Sequence, residues 1–267
     1  GVTRRVWKSC PMVDPDQPPA PHPLQRMLAP RSVALVGAST VPNAPGNDMV
    51  LELQVSRFPG AVYPVNPKYD EVEGLDCYAG LADVPEVPDL AVLGVGNSVL
   101  EDQVRLAIDL GIGGLVIPGS VLSPDDTADS SLRERIRDLA LAADLPIVGG
   151  NCMGFYNVEK WFRTLPFHRP YELTEGGVTL IAQSGSVLTA LLWNDQKLRF
   201  NLAISPGQEL VTTTADYMDY ALDQPSTRVI ALFVEAVRSP EKFRAALRKA
   251  ADRGVPVVAL KAGRSPA

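Results

Sequence analysis

The chain is short of the residues from which metal, disulfide and acid–base sites are usually built. It carries three cysteines, Cys10, Cys77 and Cys152, and two histidines, His22 and His168, in 267 residues. Cysteines that are odd in number and far apart make neither a disulfide framework nor a clustered metal centre. No metal site is therefore expected, and a reducing, cytoplasmic setting is. Apolar runs stop well short of the roughly 20 residues that a membrane-spanning helix needs, and the amino terminus lacks a signal-peptide core, so no membrane partner is expected. Positive charge is not in excess either, with 25 Lys and Arg against 31 Asp and Glu for a net charge of -6. Without a basic stripe there is no electrostatic footprint for nucleic acid.

What is present describes an ordinary globular protein, 46% hydrophobic and 21% charged, long enough for two domains. Residues 1–23 combine a basic start, GVTRRVWK, with the proline-rich DPDQPPAPHP, and read as a flexible arm. From Ser32 the chain repeats one pattern: a short β-branched apolar run, a Gly- or Ser-bearing turn, then an amphipathic stretch of helical length. This is the sequence form of βαβ units. Strands are expected at 32–37, 61–66, 90–95, 114–118 and 145–149, with helices at 47–57, 98–110 and 131–144. A second series places strands at 178–183, 200–205, 229–235 and 255–261, and helices at 185–198, 212–223 and 239–253. Strands that are apolar throughout are buried on both faces, which implies parallel sheets covered by helices. Two α/β domains follow, at 24–150 and 176–267, joined by a crossover at 151–175 with its boundary near Glu172.

Parallel sheets gather ligands beyond the carboxyl ends of their strands, where turns feed helix amino termini. Five such turns carry candidate chemistry. Gly37, Ala38 and Ser39 follow the first strand; the glycine permits close backbone approach and the serine offers either a hydroxyl for phosphate or a helix cap. This turn is not the G-x-G-x-x-G of dinucleotide-binding domains. Lys68 leaves the second strand where such domains usually place an acidic ribose-binding residue, and a lysine there suits a phosphorylated ribose, or is a solvated surface charge. Asn151 and Cys152 sit in the glycine-rich IVGGNCMGFYN, where the cysteine is either a small buried residue or a nucleophile or metal ligand without an evident base or second ligand. Ser184, Gly185 and Ser186 form a strand-to-helix turn whose amides suit an anion; Ala182 and Ser186 replace the glycines of a nucleophile elbow, and both histidines precede it, which argues against a serine hydrolase. Glu235 ends an apolar strand as either a helix-dipole partner or an active-site carboxylate.

As an ordered set, RSVALVGAS, YPVNPKYDEVEGLDCY, PIVGGNCMGFYN, GGVTLIAQSGSV and ALFVEAVRSPEKF resemble the NDP-forming acyl-CoA synthetases, relatives of the succinyl-CoA synthetase α subunit, over residues 24–265. The resemblance implies a Rossmann-like CoA-binding domain followed by a flavodoxin-like parallel α/β ligase domain, the latter cut short at Ala267. It implies that Gly37, Ala38, Ser39 and Lys68 hold the phosphates of coenzyme A, that Gly96 and Asn97 line its pocket, and that Asn151 and Cys152 lie near the thiol. In this family a histidine carries a phosphoryl group between an acyl phosphate and a nucleotide. Ser184, Gly185 and Ser186 match the helix start that stabilises it, and Glu235 the glutamate that orients the ring.

The family's histidine lies shortly beyond the KAGRS strand, so neither His22 nor His168 takes its place, and Gly150 stands where the family has a proline. The resemblance further implies CoA and a small carboxylic acid as substrates, ATP or ADP with Mg2+ on an ATP-grasp domain or subunit, and room for a homo-oligomer. Two other readings stay open from the residues: a non-catalytic CoA-binding or CoA-sensing module, and an NAD(P)-binding oxidoreductase.

Overall fold

The computed structural model describes residues 20–127, 130–164, 174–193 and 198–263. Residues 1–19, which hold Cys10 and most of the expected arm, lie outside these, as do Glu172, His168 and the end of the KAGRS segment. A four-residue helix α1 (Gln25–Leu28) leads into β1 (Ser32–Val36), α2 (Pro45–Val55), β2 (Ala61–Val65), a small hairpin of β3 (Glu71–Val72) and β4 (Leu75–Asp76), then β5 (Leu90–Leu93), α3 (Asn97–Leu110), β6 (Leu115–Ile117), α4 (Leu132–Ala142) and β7 (Ile147–Gly149). The sheet has the order β2-β1-β5-β6-β7 and is parallel throughout.

Alternate residues of the strands take part in different cores, as continuous apolar strands require. Val33, Leu35, Val92, Val116 and Val148 pack with Met49, Val50 and Leu53 of α2. Ala34, Ala91, Leu93, Leu115 and Ile147 pack with α3 and α4. Local chemistry sets the helix ends. Ser131 and Glu134 form a reciprocal capping box at the start of α4, and Gly111, in the left-handed region, closes α3.

The second half contains β8 (Gly154–Asn157), β9 (Phe162–Arg163), β10 (Val178–Ala182), α5 (Gly185–Leu192), β11 (Phe200–Ser205), α6 (Thr214–Leu222), β12 (Val229–Val234), α7 (Pro240–Asp252) and β13 (Val257–Lys261). Its sheet runs β13-β12-β10-β11-β8-β9. The strands β10 to β13 are parallel, as the sequence implies. The stretch expected to be a crossover instead contributes two antiparallel strands, β8 on β11 and β9 on β8, which extend that sheet. The helix expected over 185–198 ends at Leu192, where Trp193 caps it. Among the described residues, no helix is long and apolar enough to cross a membrane.

The two halves are welded rather than tethered. One continuous core runs from Val33, Met49 and Val148 of the first half to Phe155, Phe162, Ile204, Tyr217 and Ile230 of the second. The edge strand β7 is hydrogen-bonded to the loop after β11: Ile147 N–H donates to Thr212 Oγ1 (3.1 Å), Leu210 N–H to Gly149 O (2.9 Å) and Gln208 N–H to Gly150 O (2.7 Å). Buried deepest is an ion pair between Arg163 of β9 and Glu52 of α2, 2.8 Å apart with side chains 2% and 0% exposed. The arm is fastened too, with His22 Nε2 3.1 Å from Asp219 Oδ2 of α6.

Two stability predictions follow from these contacts. Arg163→Met takes the guanidinium away from the buried Glu52 carboxylate and should cost about 3–5 kcal/mol in urea unfolding, most of it regained when Glu52→Leu is added. Asp89, 3% exposed, accepts from Arg26 Nε at 2.9 Å and Arg31 Nε at 3.0 Å. Burial raises its pKa, but the hydrogen bonds from Arg31 and Arg26 win and the folded value is lowered. A lowered folded value contributes stability that is complete above the ordinary aspartate pKa of about 3.9 and is lost as pH falls through the lower, folded one. Asp89→Asn should therefore be less stable than the parent at neutral pH, with the gap closing below pH ~4 in pH-resolved thermal melts.

Candidate functional site

The carboxyl ends of both sheets open into one crevice of about 680 Å³ between the halves. One wall comes from the exits of β5 (Leu93 to Val95) and β6 (Pro118, Gly119) and from the start of α2 (Pro45, Gly46, Met49). The facing wall is Asn151 to Met153, Gln183 to Ser186, and Glu235. The amino termini of α2 and α5 thus face the same space. The first amides of a helix have no intrahelical partner and carry partial positive charge, so both ends favour an anion.

The first wall requires glycine. Gly37 has a φ of 94°, and a Cβ on it would sit 2.3 Å from Gly94 O. A Cβ on Gly46 would sit 2.1 Å from Gly37 O. The exit of β1, the start of α2 and the exit of β5 therefore meet backbone to backbone, which only hydrogen-sized side chains allow. Gly37 builds this wall from behind rather than lining the crevice. Ala38 is 1% exposed, and its carbonyl accepts from Asn66 Nδ2 at 2.7 Å. Ser39 Oγ accepts from Val41 N–H at 3.0 Å, and Ser39 O from Asn47 Nδ2 at 3.0 Å, so its hydroxyl acts in the turn.

Lys68 is exposed on the loop after β2, its backbone N–H donating to Asn66 Oδ1 at 3.0 Å. Like Ala38 and Ser39, it lies outside the crevice lining. Gly96 caps α3 in extended conformation. Asn97 turns its amide away, donating to Ser120 O at 2.9 Å and also to Leu122 O. It tethers the loop that follows β6.

Asn151 and Cys152 do line the crevice. The thiol is 6% exposed and lies 3.4 Å from Ile117 O and 3.7 Å from Val148 O. Burial pushes its pKa up to about 12, so at neutral pH it is a protonated donor rather than a thiolate nucleophile or metal ligand. The small-buried-residue alternative fits Cys152.

On the facing wall, Ser184 is the N-cap of α5, its Oγ accepting from Val187 N–H at 3.4 Å. Gly185 packs on Met153; a Cβ there would lie 2.7 Å from Met153 Cγ. Ser186 is exposed, and Glu235 stands exposed at the end of β12. The structure thus brings Asn151, Cys152, Ser184, Gly185, Ser186 and Glu235 into one crevice, with Gly37 behind it and Ala38, Ser39, Lys68, Gly96 and Asn97 away from its lining.

Four contributors escaped sequence reading. Pro45 and Gly46 look like a break, although proline at the first position is a helix-start signal. Met153 carries no motif. Gln183 was visible only as a polar residue closing an apolar strand. His22 is not in the crevice lining. Its potential metal-donor group with Asp219 and Asp223 is already neutralised by Lys249, 2.6 and 2.9 Å from the two carboxylates, and by Arg253.

Comparison with known proteins agrees with this division. Residues 31–157 match the family described as CoA binding domain. Residues 175–267 match the succinyl-CoA ligase like flavodoxin domain. A trans-feruloyl-CoA synthase from an unknown prokaryotic organism is 34% identical over 91% of this chain and 35% of its own length. The alpha subunit of an ADP-forming acetate–CoA ligase II from Pyrococcus furiosus is 29% identical over 91% of this chain and 52% of its own. A dinucleotide-forming acetyl-coenzyme A synthetase from Candidatus Korarchaeum cryptofilum, solved with phosphate and ADP, superposes with a TM-score of 0.81 at 27% identity, over 91% of this chain and 52% of its own. The chain spans about a third to a half of the length of the curated relatives it matches. In this order and around a shared crevice, the chain therefore belongs to two domain families, a CoA binding domain followed by a succinyl-CoA ligase like flavodoxin domain.

Proposed function

We propose that this chain is the CoA-binding and ligase core of an acid–CoA ligase that interconverts acyl-CoA, nucleoside diphosphate and phosphate with acid, CoA and nucleoside triphosphate. The observation that carries the reading is the crevice, where the start of α5 and the Glu235 carboxylate face the half that matches the CoA-binding family. Phosphate attacks the thioester carbonyl and displaces the CoA thiol, giving an acyl phosphate. A histidine then takes the phosphoryl group, releasing the carboxylate, and delivers it to the nucleotide. The amides of Gly185 and Ser186 meet the phosphoryl oxygens while Glu235 accepts a hydrogen bond from the histidine ring. Among the described residues no histidine lines the crevice, so the reading assigns the phosphoryl carrier to a segment other than these lining residues. It assigns the nucleotide, with Mg2+, to an ATP-grasp domain or partner subunit. That one relative is named a subunit alpha supports such a partner.

CoA is placed with its phosphates toward the β1 and β2 exits and its thiol toward Asn151 and Cys152. Lys68, exposed beyond β2, then meets the 3′-phosphate. A non-catalytic CoA-binding module would also lack a histidine in its crevice. It would have no use for Ser184, Gly185, Ser186 and Glu235 grouped opposite the CoA-binding half.

Titration calorimetry with CoA, dephospho-CoA and NAD tests the first domain: CoA should bind most tightly, and equal affinity for NAD would remove the reading. Lys68→Ala should weaken CoA by ~1 kcal/mol, about fivefold in Kd, and leave dephospho-CoA unchanged. An equal loss for both ligands would take the 3′-phosphate away from Lys68.

A further inference from the structure

β10 ends in the apolar run Leu180 to Ala182, and Gln183 follows. Its backbone N–H donates to Phe233 O at 3.0 Å, carrying the pairing with β12 one residue beyond the strand. Its side chain then reaches across to the exit of β12. Oε1 accepts from the N–H of Glu235 at 2.7 Å and of Ala236 at 2.9 Å. Nε2 donates to Ala236 O at 2.8 Å. These three bonds hold the peptide groups from which the Glu235 side chain projects.

The orientation of the amide is fixed from behind. Glu209, 6% exposed, accepts through Oε1 from Thr214 N–H at 2.7 Å and from the Thr214 hydroxyl. Because a carboxylate oxygen accepts, the hydroxyl proton is committed to Glu209. The Thr214 oxygen is then left to accept from Gln183 Nε2, 3.4 Å away. A flipped amide would set its oxygen against Ala236 O and its NH2 group against two backbone donors. Burial pushes the Glu209 pKa up, and the hydrogen bonds from Thr214 hold it back.

We propose that Gln183 is a positioning residue for Glu235: braced by the Glu209–Thr214 pair, it fixes the backbone at the β12 exit so that the Glu235 carboxylate meets the phosphoryl-carrying histidine at one angle. This rests on the ligase reading above. A misplacement of about 1 Å at a reacting group costs on the order of 100-fold in rate, and a truncated Gln183 leaves three backbone groups without their side-chain partner.

The test uses this chain assembled with its nucleotide-binding part. Gln183→Ala should lower kcat for ligation about 100-fold, with KM for CoA and the thermal midpoint little changed. Gln183→Glu supplies a sharper signature. As a carboxylate it still accepts from both N–H groups but cannot donate to Ala236 O; once protonated it regains one donor for Ala236 O while keeping its acceptor. Its rate relative to the parent should therefore rise as pH falls, a trend Gln183→Ala lacks. Parent-like kcat in Gln183→Ala, alongside a Glu235→Gln variant that has lost activity, would overturn the positioning role and leave the ligase reading intact. Activity retained by Glu235→Gln, or no ligation by the assembled parent, would remove the ligase reading and the positioning role with it. Should Gln183→Ala fail to fold, a Gln183→Glu rate ratio that stays flat with pH would overturn the proposal alone.

Discussion

Backbone meeting backbone is the constraint on which the rest of this structure depends. The start of α2 can point into the crevice only because Gly46 lies against Gly37 O and Gly37 against Gly94 O, contacts a methyl group would close to 2.1 and 2.3 Å. Any larger residue would lift α2 away from the β1 and β5 exits and move its free amides off the shared space. The facing wall obeys a similar rule, since Gly185 lets α5 begin against Met153. In both places the missing side chain is what lets the start of a helix border the crevice.

Such amides are useful only if the two walls keep their spacing. The common core, the β7 hydrogen bonds to the loop after β11, and the buried Arg163–Glu52 pair fix one half against the other. The pair is costly to desolvate, and its contribution is to placement more than to net stability. β9, which carries Arg163, is two residues long; its place at the edge of the second sheet brings the guanidinium to α2. The antiparallel pair β8 and β9 thus belongs to the second sheet while pinning the first half.

Much of this was legible in the sequence. Strands that are mostly apolar, such as SVALV and FNLAIS, are buried at every position, and their spacing gives parallel sheets directly. What stayed hidden depends on distant partners. β8 exists because Leu202 to Ser205 of β11 lie beside it, and nothing local in GFYN says so. The early start of α2 was masked by a Pro-Gly pair that ordinarily signals a turn. At the site, Ser184 and Glu235 stood out because each interrupts an apolar run at a strand end. Gln183 interrupts one as well, yet its part is played through three hydrogen bonds to residues more than fifty positions away. Lys68 shows the converse: its sequence position is suggestive, while its side chain is exposed outside the crevice lining.

The charge balance of the crevice explains why its serine-glycine turn carries no lysine. Among the described residues Glu235 is the one charged side chain in the lining, and Cys152 is held neutral. On the ligase reading, a phosphoryl group here would be met by helix-end amides, each terminus being worth about 0.3–2 kcal/mol toward an anion, and not by a full counter-charge. That is the weaker choice for storage and the better one for transit, because a group resting on a buried cation would need that attraction undone before it could move on. The nearby carboxylate pushes the same way. It repels a free phosphoryl group and favours a protonated, phosphorylated imidazole presented between itself and the α5 amides. On the ligase reading, the crevice would therefore favour a phosphate already attached to a cationic ring, and the moment at which that ring gives it up.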